Sequence, residues 1–201
     1  MTTRERAADW DRAYTKPWAP WDIGRAQPAF VALADAGEIR SPVLDAGCGT
    51  GENALMLAAR GMEVVGIDLA PTAIARATAK ATARGLNAEF VVGDVLELAR
   101  LGRGFATVID SGVFHVFDDV ERARYVGALA SVLEPGGRLH LMCFSELTPG
   151  TEGPRRVTQA ELRSAFGDGW DVERIEAATF EVTDWIQPAP RAWLAKVRRT
   201  D

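Results

Sequence analysis

Short apolar runs recur along the chain at residues 42–46, 63–68, 89–93, 105–110 and 138–144, and most intervals between them carry apolar residues at helical spacing. A strand followed by a helix, repeated, implies parallel strands joined by helical crossovers. The punctuation residues agree. Pro71 suits the first turn of a helix that begins after Asp68, Gly85 closes the Ala-rich stretch ATAKATARG, and Thr158 with Glu161 in TQAE form a capping-box pattern. A helix over about 120–133 meets Glu134-Pro135-Gly136-Gly137, through which no helix continues. Two more candidate strands, 170–175 and 192–198, bring the expected architecture to an α/β, doubly wound sheet of about seven strands.

The chemistry gathers where the apolar runs end. The stretch VLDAGCGTGENALMLAARGMEVVGIDLAP, residues 43–71, puts Gly47, Gly49 and Gly51 in a turn between a strand and a helix. In doubly wound sheets, ligands bind beyond the carboxyl ends of the strands. Glycine there admits backbone conformations barred to other residues, and the next helix N-terminus offers unpaired N–H groups to a pyrophosphate or a carboxylate. Asp68 closes the second run. A carboxylate at that point accepts hydrogen bonds from both hydroxyls of a ribose, and it can also cap the helix entered at Leu69-Ala70-Pro71. Asp94 ends the third run in FVVGDVLEL. Neighbouring strands that each end in aspartate indicate a ribose-containing cofactor.

Composition narrows the partners. With 201 residues, 47% of them hydrophobic, the chain can bury one sizeable core, so one domain over 1–201 is expected. The net charge of −5 and the scattered Lys and Arg leave no footprint for a nucleic-acid backbone. Arg155-Arg156 and Arg198-Arg199 read as solvated surface. The N-terminal MTTRERAADWDRAY has no apolar signal core and no run is long enough to span a bilayer, so neither nucleic acid nor membrane is an expected partner, and a cytoplasmic location is. Cys48 and Cys143 read as small buried residues, and no metal site is expected.

Together these motifs carry a family resemblance. VLDAGCGTGEN resembles the first motif of class I S-adenosylmethionine-dependent methyltransferases, VVGIDLAPTAI the second, VVGDVLEL the third, and LEPGGRLHLMCFS the stretch into the fifth strand; the set covers residues 40–145. Beyond it, WDRAYTKPWAPWDIGRAQPAF, IDSGVFHVF and GPRRVTQAEL are similar to the thiopurine methyltransferase-like branch, especially to actinobacterial enzymes that methylate heterocyclic toxins and quinone-like compounds. The resemblance implies a Rossmann-like, mostly parallel seven-stranded sheet with helices on both faces and the last strand antiparallel. It implies S-adenosylmethionine as cofactor and S-adenosylhomocysteine as product. Asp45, Gly47, Gly49 and Gly51 would surround the methionine end, Asp68 with Leu69 the ribose, and Asp94 with Val95 the adenine. Asp110 and Ser111, ending the fourth strand, would also meet the cofactor; the branch often has arginine where Ser111 stands. Trp10, Trp18 and Trp21 match an N-terminal segment, within residues 1–30, that closes over the cofactor ahead of a core spanning 40–201. With Pro17, Pro20, Gly24 and Pro28, that segment is a poor candidate for a sheet or a long helix.

A nicotinamide dehydrogenase is the nearest alternative, but its G-x-G-x-x-G fingerprint needs glycine where Glu52 stands. A protein that binds S-adenosylmethionine without catalysis stays open, because such motifs report binding alone. Methyl transfer asks mainly that a nucleophilic O, N or S be held in line and kept from water. Where the acceptor must also lose a proton, His115 in DSGVFHVFDD is the candidate base, with packing as its other reading, while His140 reads as structural. Phe114, Phe117 and Phe144 are candidates for an apolar pocket. The expected acceptor is a small planar aromatic or heterocyclic compound, with detoxification as one role.

Overall fold

A computed structural model describes residues 3–15, 19–183 and 188–201, with the side chains of residues 3 and 4 left aside. The four strands β1 (Val43–Ala46), β2 (Val64–Asp68), β3 (Glu89–Val92) and β4 (Phe105–Ser111) match the first four apolar runs to within a residue or two. They lie parallel in the order β3-β2-β1-β4. β5 (Leu133–Phe144) continues the parallel set, and β7 (Arg191–Arg199) runs antiparallel between β5 and β6 (Trp170–Thr179). The sheet therefore has the expected seven strands, mostly parallel, with the last one reversed.

Pleating distributes the apolar runs to both faces, because successive side chains in a strand point to opposite sides. Leu44, Val65, Val108 and Leu141 join one buried cluster, while their neighbours Val43, Val64, Ile109 and Met142 join another. The first is covered by α5 (Asp119–Val132) and α6 (Gln159–Ala165), the second by α2 (Pro28–Asp35) and α3 (Glu52–Ala58). α4 (Pro71–Arg84) packs on β2 and β3, and α1 (Thr3–Thr15) packs on α4. Pro71 occupies the first turn of α4, Gly85 caps it in the left-handed conformation, and Thr158 with Glu161 forms the complete capping box of α6.

Three expectations are corrected. The chain bends from α5 straight into β5 at Leu133 rather than resuming at residue 138: Pro135 supplies no N–H, and a shift of register against β4 absorbs the irregularity. β6 runs on to Thr179, past residue 175. The N-terminal segment is helical through Thr15, because its first proline falls only at Pro17 and the charged run before it is free to form α1. α2 starts on Pro28, which suits a first helical turn.

Candidate active site

The parallel strands end together, and the loops after them surround a cavity of about 620 Å³. Its lining follows the sheet order. Gly93, Asp94 and Val95 stand after β3, Asp68 and Leu69 at β2, Gly47 after β1, Ser111 to Val113 at β4, and Phe144 at β5. His115, Val116 and Phe117 come from the short 3-10 turn that follows β4. Trp10, Tyr14 and Trp21 cover the opening from the N-terminal side.

Strand-end carboxylates hold the loops in place. Asp68 accepts from the Gly49 amide on Oδ2 and the Ala70 amide on Oδ1, both at 2.9 Å, so the end of β2 grips the glycine loop of β1. Asp45 accepts from the Ala54 amide at 3.1 Å, and Asp110 from the amides of Val113 and Phe114 and from the Tyr125 hydroxyl. Asp94 accepts from the Leu96 amide at 3.0 Å. Burial pushes the Asp45 and Asp110 carboxyls up to about 7 and raises Asp68 as well, with the backbone N–H groups pulling the other way. Gly47 and Gly51 have φ of 70° and 86°. A Cβ on Gly47 would stand 2.1 Å from Val113 Cγ2, so only glycine lets the β1 and β4 loops meet.

Of the residues singled out from sequence, Trp10, Trp21, Gly47, Asp68, Leu69, Asp94, Val95, Ser111 and His115 line the cavity. Asp45, Gly49, Gly51 and Asp110 are not among the lining residues. Gly49 packs under Tyr14, Gly51 against Ala77 and Phe90, and Asp45 and Asp110 are fully buried. Trp18 lies outside the described residues. Phe117 and Phe144 line the cavity, whereas Phe114 is buried and stacks on Phe166. His140 is buried, with its ring beside the Glu38 carbonyl.

His115 does not have the geometry of the expected base. Its Nδ1 accepts from the Phe144 amide at 2.9 Å, which leaves the ring hydrogen on Nε2 and makes that atom a donor. Burial, with Arg122 and Arg156 nearby, pushes the imidazole down to about 3. It therefore stays neutral at any ordinary pH.

Two features went unread. Arg6, Trp10 and Tyr14 recur at intervals of four, so all three present the same face of α1 to the cavity. Arg6 pairs with Asp94 at 2.9 Å and with Glu121, Asp11 accepts from the Thr72 amide at the start of α4, and Tyr14 takes a hydrogen bond from Trp21. α1 is thus fastened at several points across the cavity. Arg156, expected on the surface, lines the cavity instead, while Arg155 is exposed and pairs with Asp119 and Glu161.

These features are those of a methyltransferase, and the comparisons agree. Residues 43–137 match the family model of a methyltransferase domain. A 2-heptyl-1-hydroxyquinolin-4(1H)-one methyltransferase of Mycobacteroides abscessus is 38% identical over 162 residues, covering 79% of this chain and 71% of that protein. A structure solved for the conversion of a disulfide bond into a thioacetal group during echinomycin biosynthesis superposes with a TM-score of 0.89 at 38% identity, covering 97% of this chain and 92% of that one. Magnesium protoporphyrin IX methyltransferase of Synechocystis PCC 6803, solved with bound S-adenosylmethionine, gives 0.64 at 28% identity, covering 85% and 76%. The chain belongs to the methyltransferase family. It is a small-molecule methyltransferase that uses S-adenosylmethionine.

The histidine geometry is open to direct measurement. The 15N resonances of His115 should keep the pattern of the neutral ring with hydrogen on Nε2 at pH 5 and titrate only near 3. Because the unfolded chain binds this proton below about 6.5 and the folded one does not until about 3, burial of His115 lowers stability as pH falls through that window. A ring that charges near pH 6 in the folded protein would contradict the assignment.

Proposed function

We propose that this enzyme methylates an O, N or S atom of a small planar aromatic or heterocyclic compound, with detoxification as its role. The observation that carries the reading is the composition of the cavity across the sheet edge. Aspartates and the glycine loop lie over β1 to β3, and Phe117, Phe144, Phe180, Val182 and His115 lie toward β5. One half offers hydrogen-bond acceptors and open backbone, the other an apolar wall suited to a flat ring. The heterocycle in the name of the Mycobacteroides abscessus relative, 2-heptyl-1-hydroxyquinolin-4(1H)-one, supports the same substrate class.

The residues present fit S-adenosylmethionine. Asp68 takes the backbone N–H groups of Gly49, Leu69 and Ala70 on its two oxygens, and the lone pair that remains is open to a ribose hydroxyl. Asp45 Oδ1 is buried without a partner beneath the same loop. Asp68 with Leu69 would hold the ribose, Asp94 with Val95 the adenine, and Gly47 with Ser111 the methionine end. When bound, the cofactor supplies a methyl group on a good leaving group. The protein's own residues orient the acceptor against it and shut out water, with Trp10 and Trp21 as a lid; Trp21 is 43% exposed while its ring edge meets Trp10 and Tyr14.

Assays of hydroxyquinolones, quinols and thiopurines with isotopically labelled methyl donor should yield a methylated heterocycle. Binding of S-adenosylmethionine with no transfer to any of the three classes would overturn the proposal. Asp68→Asn keeps the shape of the side chain and removes its charge. It should weaken S-adenosylhomocysteine binding by about 1.5 to 3 kcal/mol, the worth of charge-assisted hydrogen bonds. Calorimetry on a folded variant with unchanged affinity would dismiss Asp68 from the ribose.

A further inference from the structure

The far end of the cavity carries a charge that the cofactor reading does not use. Arg156 sits on the segment leading into α6. Its guanidinium is held by backbone carbonyls alone: Nη1 donates to Glu152 and Pro154, each at 2.7 Å, and Nη2 to Pro149 at 3.1 Å. Among the described residues no carboxylate pairs with it, and its Nε–H is buried without a partner. Carbonyls fix the position of the group and leave its net charge in place. It stands 5.7 Å from the centre of the Phe144 ring, and the ring of His115 meets the same phenylalanine at 4.8 Å.

We infer that Arg156 and the Nε2–H of His115 form an anion-selecting end of the acceptor pocket, so that the enzyme binds its heterocycle already ionised, as an oxyanion or thiolate, and needs no general base. This rests on the reading of the cavity as a heterocycle site. The groups facing His115 are Arg122 from α5 and Arg156, both cationic, and they act on it in the same direction as burial. Glu152 also lines the cavity, and its backbone carbonyl is what Arg156 holds. Asp118 and Arg155 flank the neighbouring opening. At the opposite end Asp68 and Asp94 line the wall, the latter paired with Arg6. Of the two arginines that line the cavity, Arg6 is paired with carboxylates and Arg156 is held by carbonyls.

The step balances without a proton. The ionised heteroatom of the acceptor forms a bond to the methyl carbon as the bond from that carbon to sulfur breaks, and the electron pair of the broken bond stays on sulfur. The negative charge of the acceptor and the positive charge of the sulfonium cancel, and the products are a neutral methylated heterocycle and a neutral thioether. An acceptor whose hydroxyl or thiol ionises near neutrality fits this pocket. One that ionises only in strong base does not.

The probe is 2-heptyl-1-hydroxyquinolin-4(1H)-one, bound to the enzyme saturated with S-adenosylhomocysteine and followed by its ultraviolet spectrum from pH 5 to 9. A cation within hydrogen-bonding range lowers an acid's pKa by about 1 to 3 units, so the bound hydroxyl should ionise at least about tenfold more readily than the free one. Arg156→Gln should abolish that shift and Arg156→Lys should retain most of it, with S-adenosylhomocysteine affinity unchanged in both. 2-Heptylquinolin-4(1H)-one, which lacks the N-hydroxyl, should bind at least tenfold more weakly above the pKa of the probe. A bound hydroxyl that titrates at or above the free value overturns the inference. So does a shift that survives Arg156→Gln, or equal affinity for the two quinolones at every pH. Binding of neither compound overturns the heterocycle reading itself.

Discussion

A carboxylate at the end of a parallel strand, accepting amides of the loop beside it, is the interaction on which the site depends. Asp68 and Asp110 each do this from a buried position, Asp94 does it just beyond β3, and buried Asp45 does the same for the first turn of α3. Loops at a strand end expose backbone N–H groups that would be costly to bury unpaired. The carboxylates satisfy them at the cost of their own desolvation, seen in the raised values of the three buried groups. The same oxygens can then serve a ligand with the lone pairs that remain. Structure and binding are therefore not alternative explanations of these aspartates.

The other wall is built by α1. Arg6 reaches Asp94, Asp11 supplies the acceptor that α4 lacks at its own N-terminus, and Tyr14 covers Gly49. A loop with glycine at three of its five positions is thereby covered by an aromatic side chain. Thr50 adds a tie in the same region, accepting from Lys80 and donating to Asp22. The cavity that results has carboxylates over β2 and β3, phenylalanines toward β5, and an arginine beyond them.

How much of this was legible follows from what each feature needs. The parallel strands, the glycine turn, Asp68, Asp94 and the capping box of α6 are local patterns, and the sequence shows them at nearly the right positions. The N-terminal helix is hard to read because its charged sequence has no apolar stripe beyond Trp10 and Tyr14 and prolines follow it closely. Arg156 looked like surface because nothing in its neighbours reveals that carbonyls at 149, 152 and 154 will turn it inward. His115 looked like a base because its ordinary pKa is near neutral. The group that fixes its tautomer, the Phe144 amide, lies 29 residues away. Local pattern thus located the strand ends, while protonation state and side-chain direction required the tertiary contacts.

Amide hydrogen exchange with and without S-adenosylhomocysteine measures directly whether one cleft along the sheet edge takes the cofactor. Protection should rise together at residues 47–51, 69–70, 93–96 and 111–114, and along α1 from Arg6 to Thr15, with little change in β6 and β7. Protection confined to α1, or spread evenly over the chain, would contradict a cofactor site built from the strand ends.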